Sequence, residues 1–300
     1  VLTRSGYLPI IELVDNEVEV WNGYEWSSVV PKLMGTNETV YNVTFSDGSN
    51  IKCTDYHKFP INVGDYQQAI DVRKQLKDIS VGDKLIKCTF PVIEGDSHTD
   101  VKSMYTQGFY SGDGNDCDNR NAKCIRFYGV KTECANYCNL IHNRYHCPEF
   151  TEYSINAPYP KNFVPDINYS ISDRLAWLSG IIDSDGTLNS EDGGITISSI
   201  DRNFLMGIKY LLNTLGATGT VALMHTAGKR MMPTHNEEIA KEYMCQDSYR
   251  IVISAFNVKK LWDLGLNTHR VKLVANPNRD ASRFITVKSI AKEEGAHDVY

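Results

Sequence analysis

The chain has 300 residues, 42% of them hydrophobic and 23% charged, with a net charge of −6 at pH 7. These proportions are those of a soluble globular protein of about two domains. No apolar run is long enough to cross a bilayer, no signal peptide is visible, and the acidic total argues mildly against nucleic-acid binding by the whole chain.

In chain order, residues 17–21 and 24–30 read as strands around Asn22-Gly23, and residues 40–46 and 49–54 as strands around Asp47-Gly48. Both dipeptides favour two-residue hairpin turns. Val43, Phe45, Ile51 and Cys53 alternate with polar residues, as strands buried on one face require. Residues 66–79 read as helical or irregular, and 79–87 as strand with a Val-Gly-Asp turn. From about residue 97 the pattern changes. It gives helix 100–113, strand 123–129, helix 131–142, an irregular stretch, helix 173–185, strand 193–199 and helix 201–215. Strands 217–225 and 248–254 and helix 256–264 follow, and residues 282–288 and 298–300 return to strand. The order implies an internal duplication, set inside a β domain as an α+β insert. The eight cysteines are scattered without zinc-type pairs, although Cys134 and Cys138 lie one turn apart on the expected helix 131–142. They read as reduced, intracellular core residues.

One acidic motif appears twice, as TQGFYSGDGN from Thr106 to Asn115 and as LSGIIDSDGT from Leu178 to Thr187. Gly108 and Gly112 share a helix face, as do Gly180 and Ser184. Small residues at that spacing let two helix backbones approach closely. Asp113 and Asp185 then meet at the negative ends of two helix dipoles, an unfavourable place for carboxylates. Gly114 and Gly186 fit the left-handed residue that ends a helix. Two crowded acids call for a cation held by oxygen, most simply Mg²⁺. Between residues 202 and 275, Lys209, Lys229, Arg230, Arg250, Lys259, Lys260, Arg270 and Lys272 leave room for a local basic face.

The second copy closely resembles the LAGLIDADG motif of homing endonucleases, with Leu178, Gly180, Ile182, Asp183, Asp185 and Gly186 matching it. The first copy is degenerate: Thr106 and Gln107 replace the leading residues and Ser111 replaces the first acid. By that resemblance Asp113 and Asp185 are the metal-binding catalytic pair of a double-stranded DNA nuclease, with Gly112 and Ser184 beside them as metal ligands. The resemblance also implies a basic residue for each acid. Lys161 in YPKNFVP fits one, and Arg270 or Lys272 in LNTHRVKL fits the other, to polarise the attacked phosphate or place the water. Asp183 is expected to bond at the helix interface rather than to bind metal.

The remainder resembles the Hint-type splicing domain of inteins, related to the Hedgehog processing domain. VLTRSGYLPIIEL, the hairpins, Thr54 and His57 in KCTDYHKFPI, and DISVGDKLI before Pro91 follow one another as in that family. The resemblance implies that His57 protonates the scissile amide as general acid and that Thr54 orients it. Val1 and the final residues do not match the family's terminal nucleophile and His-Asn pair, so an intein trimmed at both ends is expected.

The expected fold is therefore an all-β Hint-like splicing domain interrupted by an α+β pseudo-two-fold LAGLIDADG endonuclease domain. The splicing domain spans 1–96 and resumes at 279–300; the insert spans 97–278, in halves 97–170 and 171–278. The expected partners are a long double-stranded DNA site and host protein exteins in cis, with no membrane, a monomeric state and an intracellular location. The alternatives are a free-standing LAGLIDADG endonuclease, or a DNA-binding maturase or decayed nuclease. A Hedgehog-type module alone leaves the duplicated acids unexplained.

Overall fold

The structure, a computed structural model, describes residues 1–62, 71–117, 122–232, 241–273 and 283–300. It contains two compact units: Val1–Ile93 with Asp280–Tyr300, and Glu94–Arg279. The expected junction at 278–279 lies outside the described residues, as do residues 66–70 of the segment read as helical or irregular and Ser282 of the last strand.

In the first unit the described elements are strands and two short 3-10 helices. Its six-stranded sheet is discontinuous in sequence. Strand Phe284–Lys292 lies between Tyr41–Phe45 on one side and Lys84–Ile86 on the other, antiparallel to both. Val43, Phe45, Phe59, Ile61, Leu76, Leu85 and Val287 form the core, so the last segment of the chain closes a core laid down by the first.

Three sequence expectations are corrected here. The hairpin Val18–Trp21/Trp26–Val29 turns through four residues, because the Asn22 side chain accepts the N–H groups of Tyr24 and Glu25. The Asp47-Gly48 hairpin turns through three: Phe45 N–H pairs with Ser49, and Gly48 takes φ 82°, as a bulged three-residue turn requires. Residues Asp71–Gln75 are a strand, paired with Lys58–Asn62.

In the second unit, helix α1 (Val101–Asp113) and helix α2 (Ile171–Asp185) lie side by side at the centre. Asp100 caps α1 by accepting from the N–H groups of Lys102 and Ser103, and Ser170 caps α2 by accepting from that of Asp173. Such caps satisfy amides that the helix leaves unpaired. The glycines permit the approach. A Cβ on Gly108 would collide with the Trp177 carbonyl, and one on Gly180 with the Tyr105 carbonyl. Tyr105, Phe109, Trp177, Leu178, Ile181 and Ile182 fill the surrounding core.

Each helix runs straight into a four-stranded antiparallel sheet. The first is ordered Gly114–Cys117, Ala122–Tyr128, Phe150–Ile155, Leu140–His146. The second is ordered Gly186–Leu188, Ile195–Ser199, Ser248–Ile253, Thr220–His225. The registers match: Gly114 faces Ile125, which faces Tyr153, and Gly186 faces Ile197, which faces Ile251. The halves differ in what joins the second strand, in chain order, to the third, an edge strand of its sheet. The second uses helix α3 (Arg202–Thr214) and ends in helix α4 (Ala255–Asp263). The first uses a 3-10 helix, Gly129–Tyr137, and the expected helix 131–142 ends there. Asn139 is tied by its amide to Thr106 Oγ1 and by its side chain to Asp100 and Ser103, and residue 140 then starts a strand. Cys134 and Cys138 are both buried in the core.

Candidate active site at the ends of two helices

Asp113 and Asp185 are the last residues of α1 and α2, and each following glycine opens the first strand of its sheet. The expected left-handed glycines are not found. Gly114 and Gly186 are extended, with φ −73° and −74°. They are glycines for another reason: a Cβ would strike Tyr110 in one case and the Ile182 carbonyl in the other. The acids are brought together at Gly112, where a Cβ would meet Ser184 and Asp185 of the other helix. The Asp185 residue reaches solvent, yet desolvation of its carboxyl, followed by the charge of Asp113, raises its pKa above the ordinary carboxylate range. Lys131, Lys161 and Arg270 pull it back down.

The two expected basic residues occupy matching places. Lys161 Nζ donates to the Gly114 carbonyl at 2.7 Å, and Arg270 Nη2 donates to the Gly186 carbonyl at 2.6 Å. Arg270 also spans the Ile182 and Ser184 carbonyls, so it neutralises the negative end of α2. Lys272, the alternative to Arg270, is exposed and donates to the His269 carbonyl at 3.3 Å.

Each motif helix anchors the segment that delivers its basic residue. Buried Gln107 accepts from the Tyr159 N–H and donates to the Tyr159 and Pro160 carbonyls, just before Lys161. Buried Asp183 accepts from the N–H groups of His269, Arg270 and Val271 at 2.7, 2.9 and 3.1 Å, and from the Tyr105 hydroxyl at 2.9 Å. Burial first, then the Asp183 charge, pushes the Tyr105 hydroxyl far up, so it remains a donor.

Sequence reasoning missed Lys131. It stands on the 3-10 helix of the first half and ion-pairs Asp113 at 2.6 Å. Nothing in the spacing signals it.

The donor set suits a hard divalent ion. The acids, with the carbonyls of Gly112 and Ser184, offer only oxygen. Gly112 permits the close approach that places them: a Cβ there would lie 2.8 Å from Asp185 Oδ2 and overlap the Ser184 hydroxyl. Among the described residues no three His, Cys, Asp or Glu side chains gather. An ion here would therefore draw its remaining ligands from backbone and water, which Mg²⁺ accepts readily.

The expected basic face is not one face. Lys209 is buried, Lys259 pairs with Asp263 on α4, and Lys260 bonds the Gly216 carbonyl. Arg250 lies exposed on the second sheet, opposite Ser198. On the first sheet Arg126 and Arg144 flank Glu152 at 2.6 and 3.4 Å, an excess of one positive charge. Lys229 and Arg230 sit on a ribbon, Gly228–Met232 with Lys241–Cys245, that the first half lacks among its described residues. A cavity of about 810 Å³ opens at the first turns of α1 and α2, beside Tyr105, Tyr137, Leu175 and His269, and contains neither acid.

In the first unit Thr54 is buried, and its carbonyl accepts the His57 N–H at 3.2 Å. The His57 ring packs edge-on to Phe59, with centroids 4.9 Å apart, and desolvation lowers its pKa.

Residues 172–263 match the sequence profile of the LAGLIDADG-like domain. The whole chain aligns with the ribonucleoside-diphosphate reductase large subunit of Invertebrate iridescent virus 6, at 31% identity over 317 positions. The chain spans about a third of that relative's length, 33%. Among solved structures, mesophilic variants of the homing endonuclease I-DmoI align with 57% of this chain and 98% of theirs, at 14% identity and a TM-score of 0.33. I-DmoI in complex with DNA and Mn aligns with 56% of this chain and 98% of its own, at 12% identity and a TM-score of 0.32. Full-length DUF199/WhiA from Thermatoga maritima aligns with 57% of this chain and 58% of its own, at 8% identity and a TM-score of 0.36. Helix α2, with the sheet and helices that follow it, is thus the segment of the chain that is similar to a LAGLIDADG-like domain.

Proposed function

We propose that the second unit is a site-specific endonuclease that hydrolyses both strands of a long DNA duplex with a divalent ion, most simply Mg²⁺. The observation that carries this is the pair of carboxylates at matched helix ends, each followed by a strand in the same register and each with a basic residue on the next glycine carbonyl. The two antiparallel sheets offer strands of a kind that lies in a major groove. Lys161 and Arg270 hold positive charge beside the acids, where a phosphate would gain charge in the transition state. A bound divalent ion would supply further charge against that phosphate. The profile match over α2 and its sheet supports the reading.

Asp113→Asn and Asp185→Asn should each reduce double-strand cleavage by about 10²–10³-fold or more and leave duplex binding largely intact. The assay uses a site selected from a randomised library. Wild-type cleavage by both variants would sink the assignment.

We infer further that the first unit is the splicing domain of an intein, and that the host is a ribonucleotide reductase large subunit. Two observations support this. The central strand of the six-stranded sheet arrives after the insert, as an interrupted domain requires. The relative that aligns along the whole chain bears the reductase name and is three times longer. His57, with its depressed pKa, would be a ready proton donor to a departing amide once charged. Expressed within its natural flanking sequence between two tagged domains, the precursor should ligate them. His57→Ala should slow the first acyl shift strongly, and Thr54→Ala should do less. Unchanged thioester formation in the His57 variant would remove this part of the reading.

A further inference from the structure

The two acids are not equally compensated. Asp113 is ion-paired with Lys131 at 2.6 Å, and both side chains are about three-quarters buried, at 24% and 26% exposed. Asp185 has no ion pair among the described residues. The other two cations of the site are committed to carbonyls: Lys161 to Gly114, and Arg270 to Ile182, Ser184 and Gly186. Lys131 is therefore the described cation that meets a carboxylate of the pair directly. Its charge also acts on Asp185.

The asymmetry has a structural origin. Gly129, at φ 47°, turns the chain out of strand Ala122–Tyr128 into the 3-10 helix, which puts Lys131 beside the end of α1. At the matching point the second half enters α3, whose cap is Asp201 and whose face packs into the core through Phe204, Leu205, Ile208 and Leu212. A lysine is suited to a removable counter-charge, because its ammonium is a point charge on a flexible stem that can move to water.

We propose that Lys131 is a resident counter-cation of the acid pair: it holds Asp113 in the metal-free protein and must be displaced when a divalent ion binds there. Two consequences follow. The ion competes with Lys131 at the first-half acid and meets no such competitor at Asp185, so the two ends of the site load unequally. Removing Lys131 strengthens metal binding while it weakens the metal-free fold, a pairing that a lysine with a merely structural role would not produce. The inference rests on the nuclease reading only for its choice of a divalent ion as ligand.

The test uses the full chain without DNA. Free Mn²⁺ is followed by electron paramagnetic resonance during titration of the wild type, Lys131→Met, Lys131→Gln and Lys131→Arg. The Met and Gln variants should bind Mn²⁺ about tenfold more tightly, equivalent to about 1.4 kcal/mol. The Arg variant should match the wild type. In an Asp113→Asn background, Lys131→Met should change nothing. Thermal unfolding should show lower midpoints for Met and Gln without metal, recovered by Mn²⁺. Equal or weaker Mn²⁺ binding by both neutral variants overturns the proposal, as does a variant that unfolds without metal and is not rescued by Mn²⁺. DNA cleavage is scored separately. A wild type that cuts no duplex would sink the nuclease reading and leave the Mn²⁺ result standing.

Discussion

The two halves of the second unit share a frame and differ in how they secure it. Both run a helix into an acid, a glycine and a strand, and both sheets hold the same register about Gly114 and Gly186. Both place a basic residue on that glycine's carbonyl. The first half holds the basic segment with a neutral amide, Gln107; the second holds it with a carboxylate, Asp183. The first neutralises its acid with a lysine; the second leaves Asp185 to share charge at longer range. Geometry at the chemical end is thus preserved while the supports diverge. That is the expected result when backbone positions are fixed by packing and side-chain partners are free to change, provided each buried polar group stays satisfied.

The comparison is broken most strongly at the anchors. Asp183→Ala should cost about 4 kcal/mol, because it leaves three backbone N–H groups and a buried hydroxyl without their acceptor. Gln107→Leu should cost about 2 kcal/mol, since its bonds are uncharged. Urea unfolding of both variants checks the order, and equal losses would deny that the second half depends on its charge. At the shared crossing the halves should behave alike. Gly108→Val and Gly180→Val should each cost about 3 kcal/mol, because each new side chain meets backbone rather than a yielding side chain. Circular dichroism melts would show an asymmetry if only one glycine marked a true contact.

A third comparison concerns the sheets. Duplex affinity should fall by about 10²–10³-fold between 50 and 200 mM salt, through counterion release. Arg250→Ala should lower the slope of log K against log salt by about 1. Arg126→Ala should lower it less, because Arg126 is already held by Glu152 at 2.6 Å. Fluorescence anisotropy across a salt series measures both slopes, and a flat series would point to a partner other than DNA.

The smallest effect concerns pH. The raised pKa of Asp185 means that the folded state holds its proton more tightly than the unfolded chain does. Its contribution is therefore fully present below the unfolded value of about 3.9 and is lost as pH rises through the folded value. The groups facing it are Asp113, Lys131, Lys161 and Arg270. Without metal, Asp185→Asn should accordingly be more stable than the wild type at pH 7. The gain should stay below about 1 kcal/mol, since the residue reaches solvent, and should shrink toward pH 4. A gain that grows on acidification would reverse the sign assigned here.

Much of this arrangement is legible in the residues themselves. The duplicated acid with small residues one turn apart gives two helices that must touch, because a glycine at each crossing has no other use on a helix interior. Alternation marks the strands of residues 41–53. The acids are named by the motif, and Lys161 with Arg270 or Lys272 by the family resemblance; only the folded chain sets Arg270, on the Gly186 carbonyl, apart from Lys272. What the sequence did not determine depends on partners distant along the chain. Strand Asp71–Gln75 exists because Lys58–Asn62 pairs with it, and residue 140 leaves the expected helix because Asn139 is bound to α1. Gly114 and Gly186 are extended rather than left-handed because the strand begins at once and nothing larger fits. The ion pair of Lys131 with Asp113 belongs to the same class: local propensity favours a helix there, and only the packed first half, which shortens that helix to a 3-10 turn, decides where the lysine's charge comes to rest.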